Sequence, residues 1–397
     1  MFAPLSAALA QWTVINLHPA GALSSRANGG SGKQQVGYAQ IGPTVGHIRA
    51  ALWTGTAASF VNLHPAGTVY SIGYGVDGAL QAGEVYTDGF PRAGIWSGTA
   101  ASWINLHPAG TSTSSVFAAA GGQQVGNTNI GYYNAALWSG SAASWVNLNP
   151  PPNPISGYTH SSEAFGVKGG KQVGYVVNDG GIQSAALWSG SAAGWVNLHP
   201  AGNISSIAYC VDGTHQAGYV RVPDTSSHAA LWSGSAGSWI DLNPTGATNS
   251  FAKGIAGSLQ VGYAVFDAMK HASLWSGSAA SWIDLSTFLP SEFIQSEATA
   301  IWTDGGTTYI SGSGYNSLHQ REEALLWTDH PPCKGDLNGD GFVDDNDFSP
   351  FAVAYNILDC TDPAMPPGCP ADLNGDGFVD DGDFVVFVNA YNALLCP

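Results

Sequence analysis

Oxygen-bearing side chains recur at fixed intervals in a stretch near the C-terminus of this 397-residue sequence. Carboxylates and one amide occupy positions 1, 3, 5, 9 and 12 of a twelve-residue segment, with glycine at position 6 and a backbone carbonyl at position 7. The residues at the ligand positions are Asp336, Asn338, Asp340, Phe342, Asp344 and Asp347. Hard oxygen ligands in this order, with a glycine that permits a sharp turn, are suited to Ca²⁺.

The same segment recurs 36 residues later. Its ligand positions are Asp372, Asn374, Asp376, Phe378, Asp380 and Asp383. The arrangement is that of an EF-hand loop, although position 12 is Asp in both copies where Glu is usual. A solvated acidic turn does not account for two copies with every ligand position filled. The sequence therefore predicts a module that binds two Ca²⁺ ions.

A helix is predicted after each loop but not before it. Apolar residues follow at i, i+3, i+4, i+7 and i+10 from Phe348 and again from Phe384, which is the spacing of one helix face. The pairs Pro331–Pro332 and Pro366–Pro367 stand ahead of the loops, and proline disfavours a helix there.

Two loop–helix units of this kind resemble the dockerin type I module, and the resemblance covers Cys333 to Pro397. It implies a small α-helical calcium-binding module that docks to a cohesin-like or other cell-surface protein. The family reads its cohesin through loop positions 10 and 11, which are commonly small hydroxyl residues. Here those positions are Asp345, Asn346, Asp381 and Gly382.

Four of the five cysteines lie in this C-terminal segment, at Cys333, Cys360, Cys369 and Cys396. Closely spaced cysteines in a small module predict disulfides and an exported protein. Two pairings respect the duplication: Cys333–Cys360 with Cys369–Cys396, and Cys333–Cys396 with Cys360–Cys369. The spacing does not choose between them. The fifth cysteine, Cys210, is predicted to be a small core residue.

The net charge of −17 is concentrated at the C-terminal end. Residues 333–397 hold twelve Asp and one Lys, giving −11, and the other 332 residues carry −6. No cluster of Lys and Arg offers phosphate contacts, so nucleic acid is not an expected partner.

The first ten residues point to the compartment. Residues 1–10 end in Ala8-Leu9-Ala10, the form of a signal-peptide cleavage site, and are interpreted as the remnant of a secretory signal. No other apolar run approaches the roughly 20 residues of a membrane span. A secreted or cell-surface-attached protein is expected.

Residues 11–332 are built from one repeated segment, of which Ala186–Gly202 is a copy. A tryptophan marks each copy, at Trp53, Trp96, Trp138, Trp188, Trp232, Trp275 and Trp327. Periods of about 40 to 50 residues are typical of propeller blades, and each copy contains four short β segments separated by Gly-rich turns. The sequence predicts a mainly β fold, a seven-bladed β-propeller with four-stranded blades.

The two ends of the repeat region predict how the ring closes. Gln11–Pro19 is a fourth strand without preceding strands, whereas the last repeat stops at Pro332 without a fourth strand. The N-terminal strand is therefore expected to complete the seventh blade. The Ser-, Ala- and Gly-rich first strand is expected to lie innermost, where only small side chains fit. The tryptophans are expected to fill the gaps between blades.

The repeats resemble the HAF-type extracellular repeat family over about Gln11 to Asp329. The segments that carry the resemblance include Gly75–Gly78, Gln260–Tyr263 and His228–Trp232. Ala or Ser replaces the aromatic residue of the family's His-Ala-aromatic-Leu-Trp segment. The resemblance implies a propeller and no particular reaction, since a fold does not determine a function.

Two recurrent polar sets on the propeller have competing interpretations. His18, His64, His107 and His199 recur in Asn-Leu-His-Pro, and a role in capping the turn is favoured over a metal collar. Asp88, Asp224 and Asp267 recur eight residues before a repeat tryptophan. A role as turn residues is favoured over a carboxylate pair for glycoside chemistry.

The connections between second and third strands vary most in length and chemistry, and varied loops on a rigid scaffold are usual places for recognition. The candidate ligand-binding residues there are Arg49, Arg92, Tyr132, Tyr133 and His319. A glycan is the expected ligand. We therefore predict a non-catalytic binding or structural protein docked through its calcium module. The alternative is a polysaccharide lyase or glycoside hydrolase with its site on the same face.

Overall fold

The computed structural model describes residues 11–44, 47–151, 161–330, 334–337, 343–366 and 369–393. The predicted signal segment lies outside the described residues. The chain forms two units. One consists of Val14–Gly305 with Tyr309–Trp327, and the other of Met1–Thr13, Gly306–Thr308 and Thr328–Pro397.

Short strands make up most of the regular structure. In the described residues they form seven four-stranded sheets, and the fold is a seven-bladed β-propeller. The N-terminal strand is β1 (Gln11–Asn16), and the first three blades comprise β2 (Ser24–Ser31), β3 (Gln34–Gln40), β4 (Ile48–Trp53) and β5 (Val61–Asn62); β6 (Tyr70–Asp77), β7 (Leu80–Thr87), β8 (Phe90–Trp96) and β9 (Ile104–Asn105); and β10 (Thr113–Ala120), β11 (Gln123–Asn129), β12 (Tyr133–Trp138) and β13 (Val146–Asn147).

The remaining blades follow the same plan. They comprise β14 (Ser162–Lys168), β15 (Lys171–Val177), β16 (Gln183–Trp188) and β17 (Val196–Asn197); β18 (Ser205–Asp212), β19 (His215–Arg221), β20 (Ser227–Trp232) and β21 (Ile240–Asp241); β22 (Asn249–Ala256), β23 (Leu259–Phe266), β24 (Met269–Trp275) and β25 (Ile283–Asp284); and β26 (Phe293–Asp304), β27 (Thr307–Asn316) and β28 (Arg321–His330).

The N-terminal strand completes the seventh blade, as the sequence predicts. The sheet order is β1-β28-β27-β26, so a strand from one end of the repeat region lies beside strands from the other. Just beyond β1, the backbone N–H of Leu17 donates to the carbonyl of Ala324 at 2.9 Å. The side chain of Leu17 is fully buried, and this pairing covers the edge that β28 would otherwise expose.

The third-strand tryptophans form the core between blades, which confirms the interpretation of their fixed spacing. All seven of them have no exposed surface. Trp96 of the second blade, for example, packs with Val36, Leu52 and Leu63 of the first blade. Large rings at one repeat position therefore fill each space between neighbouring sheets.

The innermost strand of each blade carries small residues at many positions, as expected, but not at all of them. In β22 the register shifts between Ala252 and Gly254, so Lys253 is a bulged residue without a partner opposite. The expectation that only small side chains fit at the axis is wrong here. The side chain of the bulged residue lines a central cavity. Gly254 remains small because a Cβ there would lie 2.9 Å from Cα of Ala300 in the next blade.

The segment from Lys334 to Ala393, called the C-terminal module below, is built around two helices in its described part. Helix α1 spans Asp345–Tyr355 and helix α2 spans Asp381–Ala393. Each begins within a predicted calcium loop. The rings of Phe351 and Phe387 stack at the centre of the module, with centroids 4.8 Å apart. None of the helices in the described residues has the length and apolar character needed to cross a membrane.

Candidate functional site

The second predicted calcium loop brings three carboxylates together. One oxygen from each of Asp372, Asp376 and Asp383 lies within 4.8 Å of the others. Asp372 is held by backbone amides, since its Oδ1 accepts from Gly375 at 2.7 Å and its Oδ2 from Gly377 at 2.9 Å. Three negative charges this close repel one another, and a divalent cation would offset the repulsion.

The residue at position 12 of this loop, Asp383, links the end of the loop to its start by hydrogen bonds. Oδ1 of the buried Asp383 accepts from the backbone N–H groups of Leu373 at 2.7 Å and Asn374 at 2.9 Å. Its Oδ2 accepts from the N–H of Asp380 at 2.9 Å. Position 6, Gly377, has φ +92°, a left-handed conformation that glycine adopts without strain. The loop backbone is thus arranged around its carboxylates.

The other predicted ligands of this loop have identifiable contacts. Nδ2 of Asn374 donates to Oδ2 of Asp376 at 3.0 Å, so positions 3 and 5 face each other. Oδ1 of Asp380 accepts from the N–H of Gly382 at 2.7 Å in the first turn of α2. Phe378 forms an antiparallel bridge with Asp359. Among the described residues, the three-carboxylate cluster is the part of the predicted ligand set that converges on one point.

The first loop repeats the closing contacts of the second. The buried Asp347 accepts from the N–H of Leu337 at 2.8 Å and from that of Asp344 at 3.0 Å. These bonds correspond to those of Asp383, 36 residues later. Asp336 lies at the start of the loop, and the predicted ligands Asn338, Asp340 and Phe342 lie outside the described residues.

Two equivalent tyrosine–aspartate hydrogen bonds join the loop–helix units. The hydroxyl of Tyr355 donates to Oδ1 of Asp381 at 2.5 Å, and that of Tyr391 donates to Oδ1 of Asp345 at 2.6 Å. The C-terminal end of each helix therefore meets the N-terminal end of the other. Asp345 and Asp381 occupy loop position 10, so both side chains are engaged inside the module.

A disulfide joins Cys360 to Cys369, with Cα atoms 5.4 Å apart. The structure thereby excludes the pairing of Cys360 with Cys333, one of the two arrangements that respect the duplication. Cys333 and Cys396 lie outside the described residues. Cys210 is a free, half-buried thiol whose pKa is raised to about 12 by burial, in keeping with its prediction as a core residue.

The two arginines among the ligand-binding candidates hold backbone of the following blade. Nη1 of Arg49 donates to the carbonyl of Val69 at 3.0 Å. Nη1 of Arg92 donates to the carbonyl of Ser112 at 2.7 Å and lies 3.0 Å from Nε2 of His107. Both guanidinium groups therefore support connections between blades.

The remaining ligand-binding candidates differ in their exposure and in their contacts with other residues. Tyr132 and Tyr133 are adjacent in the third blade, with exposed fractions of 36% and 46%. His319, in the seventh blade, has its Nδ1 3.0 Å from Oε1 of Glu323, a buried carboxylate. Taken together, the five candidates are spread over four blades. Tyr132 and Tyr133 are the two candidates that present neighbouring exposed rings.

The Asn-Leu-His-Pro histidines take part in a hydrogen-bonded link between blades. Nδ1 of His64 lies 2.9 Å from Oγ of Ser71. That oxygen accepts the backbone N–H of Ala50 in the preceding blade, also at 2.9 Å. His18, His107 and His199 make the same contact with the serine seven residues later. This confirms the polar, turn-associated interpretation over a metal collar, and it adds a bond between blades that the motif did not predict.

Protonating these histidines is expected to weaken the link. Burial lowers the pKa of His64 from 6.5 to about 4 and also lowers the pKa values of His18, His107 and His199. Between pH 4 and 6.5 the unfolded chain binds more protons than the folded chain does. The contribution of these histidines to stability is therefore complete above about pH 6.5 and lost as the pH falls towards 4. Melting temperature measured from pH 7 to 4.5 should fall accordingly.

The chain itself provides the variant that tests this dependence. In the third blade the place of the histidine is taken by Asn149, whose Oδ1 accepts from Oγ of Ser162 at 2.6 Å. His64→Asn should keep the link and flatten the fall in melting temperature. His215→Asn, at an exposed histidine, is the control. An unchanged slope in His64→Asn would contradict the assignment.

The recurrent aspartates are turn residues, as favoured from the sequence. Asp88 and Asp267 have φ values of +53° and +48°, which Asp tolerates in turns. Oδ1 of Asp224 accepts from the N–H of Ser226 at 2.9 Å. The three lie in turns of different blades, and Asp224 caps its own turn.

The sequence did not predict the side chains that line the central cavity. Each innermost strand contributes one, in blade order Asn28, Tyr74, Phe117, Phe165, Tyr209, Lys253 and Thr299. The first six are the bulged residues of their strands, and Thr299 holds the equivalent position in the seventh blade. From Tyr74 to Tyr209 the rings form a continuous run with centroids 5.4 to 5.7 Å apart. A signal was present, since a large or polar residue stands between small ones at this point in most repeats.

Comparison with known proteins gives information on the fold and none on the function. The chain matches no protein-family model and no curated protein sequence. It is similar in structure to TolB from Acinetobacter baumannii, with 10% identity and a TM-score of 0.43 over 63% of this chain and 62% of TolB. It is also similar to BP39L lectin from Burkholderia pseudomallei, with 15% identity and a TM-score of 0.40 over 69% of this chain and 82% of the lectin.

A puromycin hydrolase shows the same kind of likeness, with 9% identity and a TM-score of 0.44 over 75% of this chain and 53% of the hydrolase. The chain thus spans less than two thirds of TolB and of the hydrolase. At these identities and TM-scores the similarities say nothing about what the chain binds or does. The class that its own strands define is the seven-bladed β-propeller.

Proposed function

We propose that this protein is an exported binding protein whose propeller takes a glycan and whose C-terminal module attaches it to a partner in a calcium-dependent manner. The observation that carries the proposal is the cluster of Asp372, Asp376 and Asp383, whose oxygens lie within 4.8 Å of one another. The same loop sequence stands 36 residues earlier, so the module takes two Ca²⁺ ions.

The donor set of the second loop fits calcium. Its carboxylate oxygens are hard ligands, and calcium requires six to eight of these at about 2.3 to 2.6 Å. Asn374, Asp380 and the carbonyl of Phe378 would complete the set, as the loop pattern implies. Bound Ca²⁺ supplies positive charge at the centre of the loop. The chain's own backbone amides orient Asp372 and Asp383 towards it.

Attachment is the role that such a module would serve. The segment 333–397 resembles a dockerin type I module, and a cohesin-like or cell-surface protein is the corresponding partner. Because Asp345 and Asp381 bond to tyrosines within the module, the partner would be read through other exposed side chains of the helices. The disulfide between Cys360 and Cys369 supports a location outside the cell.

The propeller is the binding part of this proposal. Residues 11–332 would form an HAF-like repeat domain that presents varied loops on a rigid ring. Tyr132 and Tyr133 offer exposed rings on one such loop, and aromatic rings stack on the apolar faces of sugars. A glycan is therefore the ligand class that these loops support best.

One observation supports the alternative of a polysaccharide-degrading enzyme. Glu84 is 8% exposed, and burial raises the pKa of its carboxyl, although hydrogen bonds from Ser115 and Tyr74 oppose the rise. A carboxyl whose pKa is raised by burial is the kind of group that general acid catalysis uses. This alternative would use Glu84 as its proton donor.

A panel of plant and algal polysaccharides tests the glycan part. We expect the full chain to bind one of them, and Tyr132→Ser combined with Tyr133→Ser to weaken that binding about fivefold or more. Phe288→Ser, at another exposed ring, is the matched control. New reducing ends or unsaturated products that disappear in Glu84→Gln would replace the binding function by the enzymatic one.

A further inference from the structure

The central cavity of the propeller has the size of a ligand site. Its volume is about 510 Å³, and its lining includes the six bulged residues and Thr299, one from each innermost strand. Small-molecule sites commonly have volumes of about 300 to 1,000 Å³. The lining also includes Asp77, Lys168 and apolar residues such as Ile255 and Trp302, and the seven side chains come from equivalent positions of the seven blades.

The wall is divided into an aromatic arc and a polar arc. Blades two to five contribute Tyr74, Phe117, Phe165 and Tyr209, whose rings touch in sequence. Blades six, seven and one contribute Lys253, Thr299 and Asn28. A ligand that fits this wall has one apolar face and one face of polar groups.

The polar arc is held in place by backbone contacts. Oγ1 of Thr299 donates to the carbonyl of Ala27 at 2.8 Å, and Nδ2 of Asn28 donates to the carbonyl of Gly73, also at 2.8 Å. Each side chain keeps an oxygen that can accept a hydrogen bond from a hydroxyl group. The arc therefore presents fixed acceptors beside one cation.

Lys253 is the cation without a carboxylate partner among the described residues of the cavity wall. Its Nζ lies 3.5 Å from the ring centroid of Tyr209, and the ammonium makes its contacts to rings instead of to an acid. Burial, together with the charges of Arg26 and Lys270, lowers the pKa of Lys253 to about 8. An anion beside this ammonium would offset both the loss of solvation and the repulsion from Arg26 and Lys270.

The other cations near the cavity are already paired. Lys168 lies 3.2 Å from Oδ2 of Asp212. Lys270 lies 2.6 Å from Oε2 of Glu297, and Arg26 forms an ion pair with the same carboxylate. Asp77 also lines the cavity, and its Oδ2 accepts the backbone N–H of Gly122 at 2.7 Å. Lys253 is thus the ammonium of the wall that no described carboxylate contacts, which favours a ligand that carries a carboxylate.

We propose that the central cavity binds a hexuronate, with its carboxylate on Lys253, its pyranose C–H face against the aromatic arc and its hydroxyls towards Thr299 and Asn28. An aromatic acid would leave the acceptors of the polar arc unused, and a neutral sugar would leave the ammonium unpaired. The hexuronate is either a free sugar acid or a unit of an acidic polysaccharide. This site extends the glycan-binding part of the proposed function but does not involve Tyr132 or Tyr133.

Isothermal titration of the full chain with galacturonate and glucuronate, beside galactose and glucose, tests the site. We expect one acid to bind and its neutral counterpart to bind at least about tenfold more weakly, because a shielded carboxylate–ammonium pair is worth at least that factor. Lys253→Met should reduce acid binding to the level of the neutral sugar. Lys171→Met, at a half-buried lysine outside the cavity wall whose Nζ donates to Ser189, is the control.

A second variant separates the charge from the ring contact. Phe117→Leu, at a ring of the aromatic arc that does not contact Lys253, should weaken the acid and the neutral sugar by the same factor, whereas Lys253→Met acts on the acid alone. Melting curves of each variant show that the propeller is folded. Equal affinity of the wild-type chain for acid and neutral sugar, or an unaffected Lys253→Met variant, would overturn the proposal.

The source of the ligand is distinguished by polymer length. Lys253-dependent binding of polygalacturonate without binding of the monomer assigns the site to a polysaccharide unit, and the reverse assigns it to a free sugar acid. If uronate binds through Lys253 while every polysaccharide fails to bind, the cavity site stands and the proposed binding of polysaccharide by the propeller falls. If polysaccharides bind equally to wild type and Lys253→Met, the site falls and that function stands.

Discussion

A chain that begins at Ala20 is expected to melt about 10 °C or more below a chain that begins at Gln11. Removal of residues 11–19 deletes β1, the strand that completes the seventh sheet beside β28. The buried side chain of Leu17 is lost with it, and loss of one buried leucine side chain costs about 2 to 5 kcal/mol. Differential scanning calorimetry of the two chains measures the effect.

Loss of β1 also removes contacts that cross the point of closure. Nδ2 of Asn16 donates to Oε2 of the buried Glu323 at 2.7 Å, so the truncated chain would leave this carboxylate with one partner fewer. The exposed edge of β28 would then be open to pairing with another chain. Aggregation on heating is therefore an expected companion of the lower melting temperature.

Two controls sharpen this test. Removal of residues 1–10 alone defines the reference chain. The second control compares two point variants, Leu17→Ala and Leu63→Ala, at equivalent buried leucines. Leu63 follows the outer strand of the first blade, which is continuous in sequence with that blade. The two variants should lower the free energy of unfolding by the same amount. Equal melting temperatures for the chains starting at Gln11 and Ala20 would show that β1 does not close the ring.

The regular part of the propeller was predictable because each repeat position has one environment. The third-strand tryptophan fills the same space between neighbouring blades in every repeat. Its spacing along the sequence therefore indicated both the repeat and the core. The missing fourth strand of the last repeat and the solitary strand at Gln11–Pro19 similarly predicted closure. These features depend on counting residues along the chain, which a single sequence supports.

The cavity wall was not predictable by the same reasoning. Strand alternation assigns a side chain to a face by counting in twos, and a bulge breaks that count within the innermost strand. Lys253 and Tyr209 therefore had no assigned direction until the register shift was known. The contacts of Arg49 and Arg92 were not predictable for a related reason, since their carbonyl partners lie in the following blade.

The C-terminal module shows the same division. The order of the predicted ligands in each loop follows from spacing alone, because a loop of fixed length brings its own residues together. The bonds from Tyr355 to Asp381 and from Tyr391 to Asp345 join residues that are 26 and 46 positions apart. Only the packing of the two helices brings these pairs into contact.

Calcium is expected to bind with a stoichiometry of two ions per chain, and Asp376→Ala is expected to reduce it to one. Asp376 belongs to the cluster with Asp372 and Asp383, and removing one carboxylate takes away both a ligand and charge. Asp340→Ala should do the same to the first loop. Titration calorimetry of the full chain measures the stoichiometry.

The same variant should change the stability that calcium confers on the module. At a free calcium concentration 1,000 times its dissociation constant, each bound ion raises the free energy of unfolding by about 4 kcal/mol. Chelation should therefore lower the melting temperature of the wild-type module more than that of Asp376→Ala, with helical circular dichroism as the readout. Asp362→Ala removes an exposed carboxylate outside both loops and should retain two ions. Absence of calcium binding at millimolar concentration, or equal losses in Asp362→Ala and Asp376→Ala, would contradict the calcium assignment.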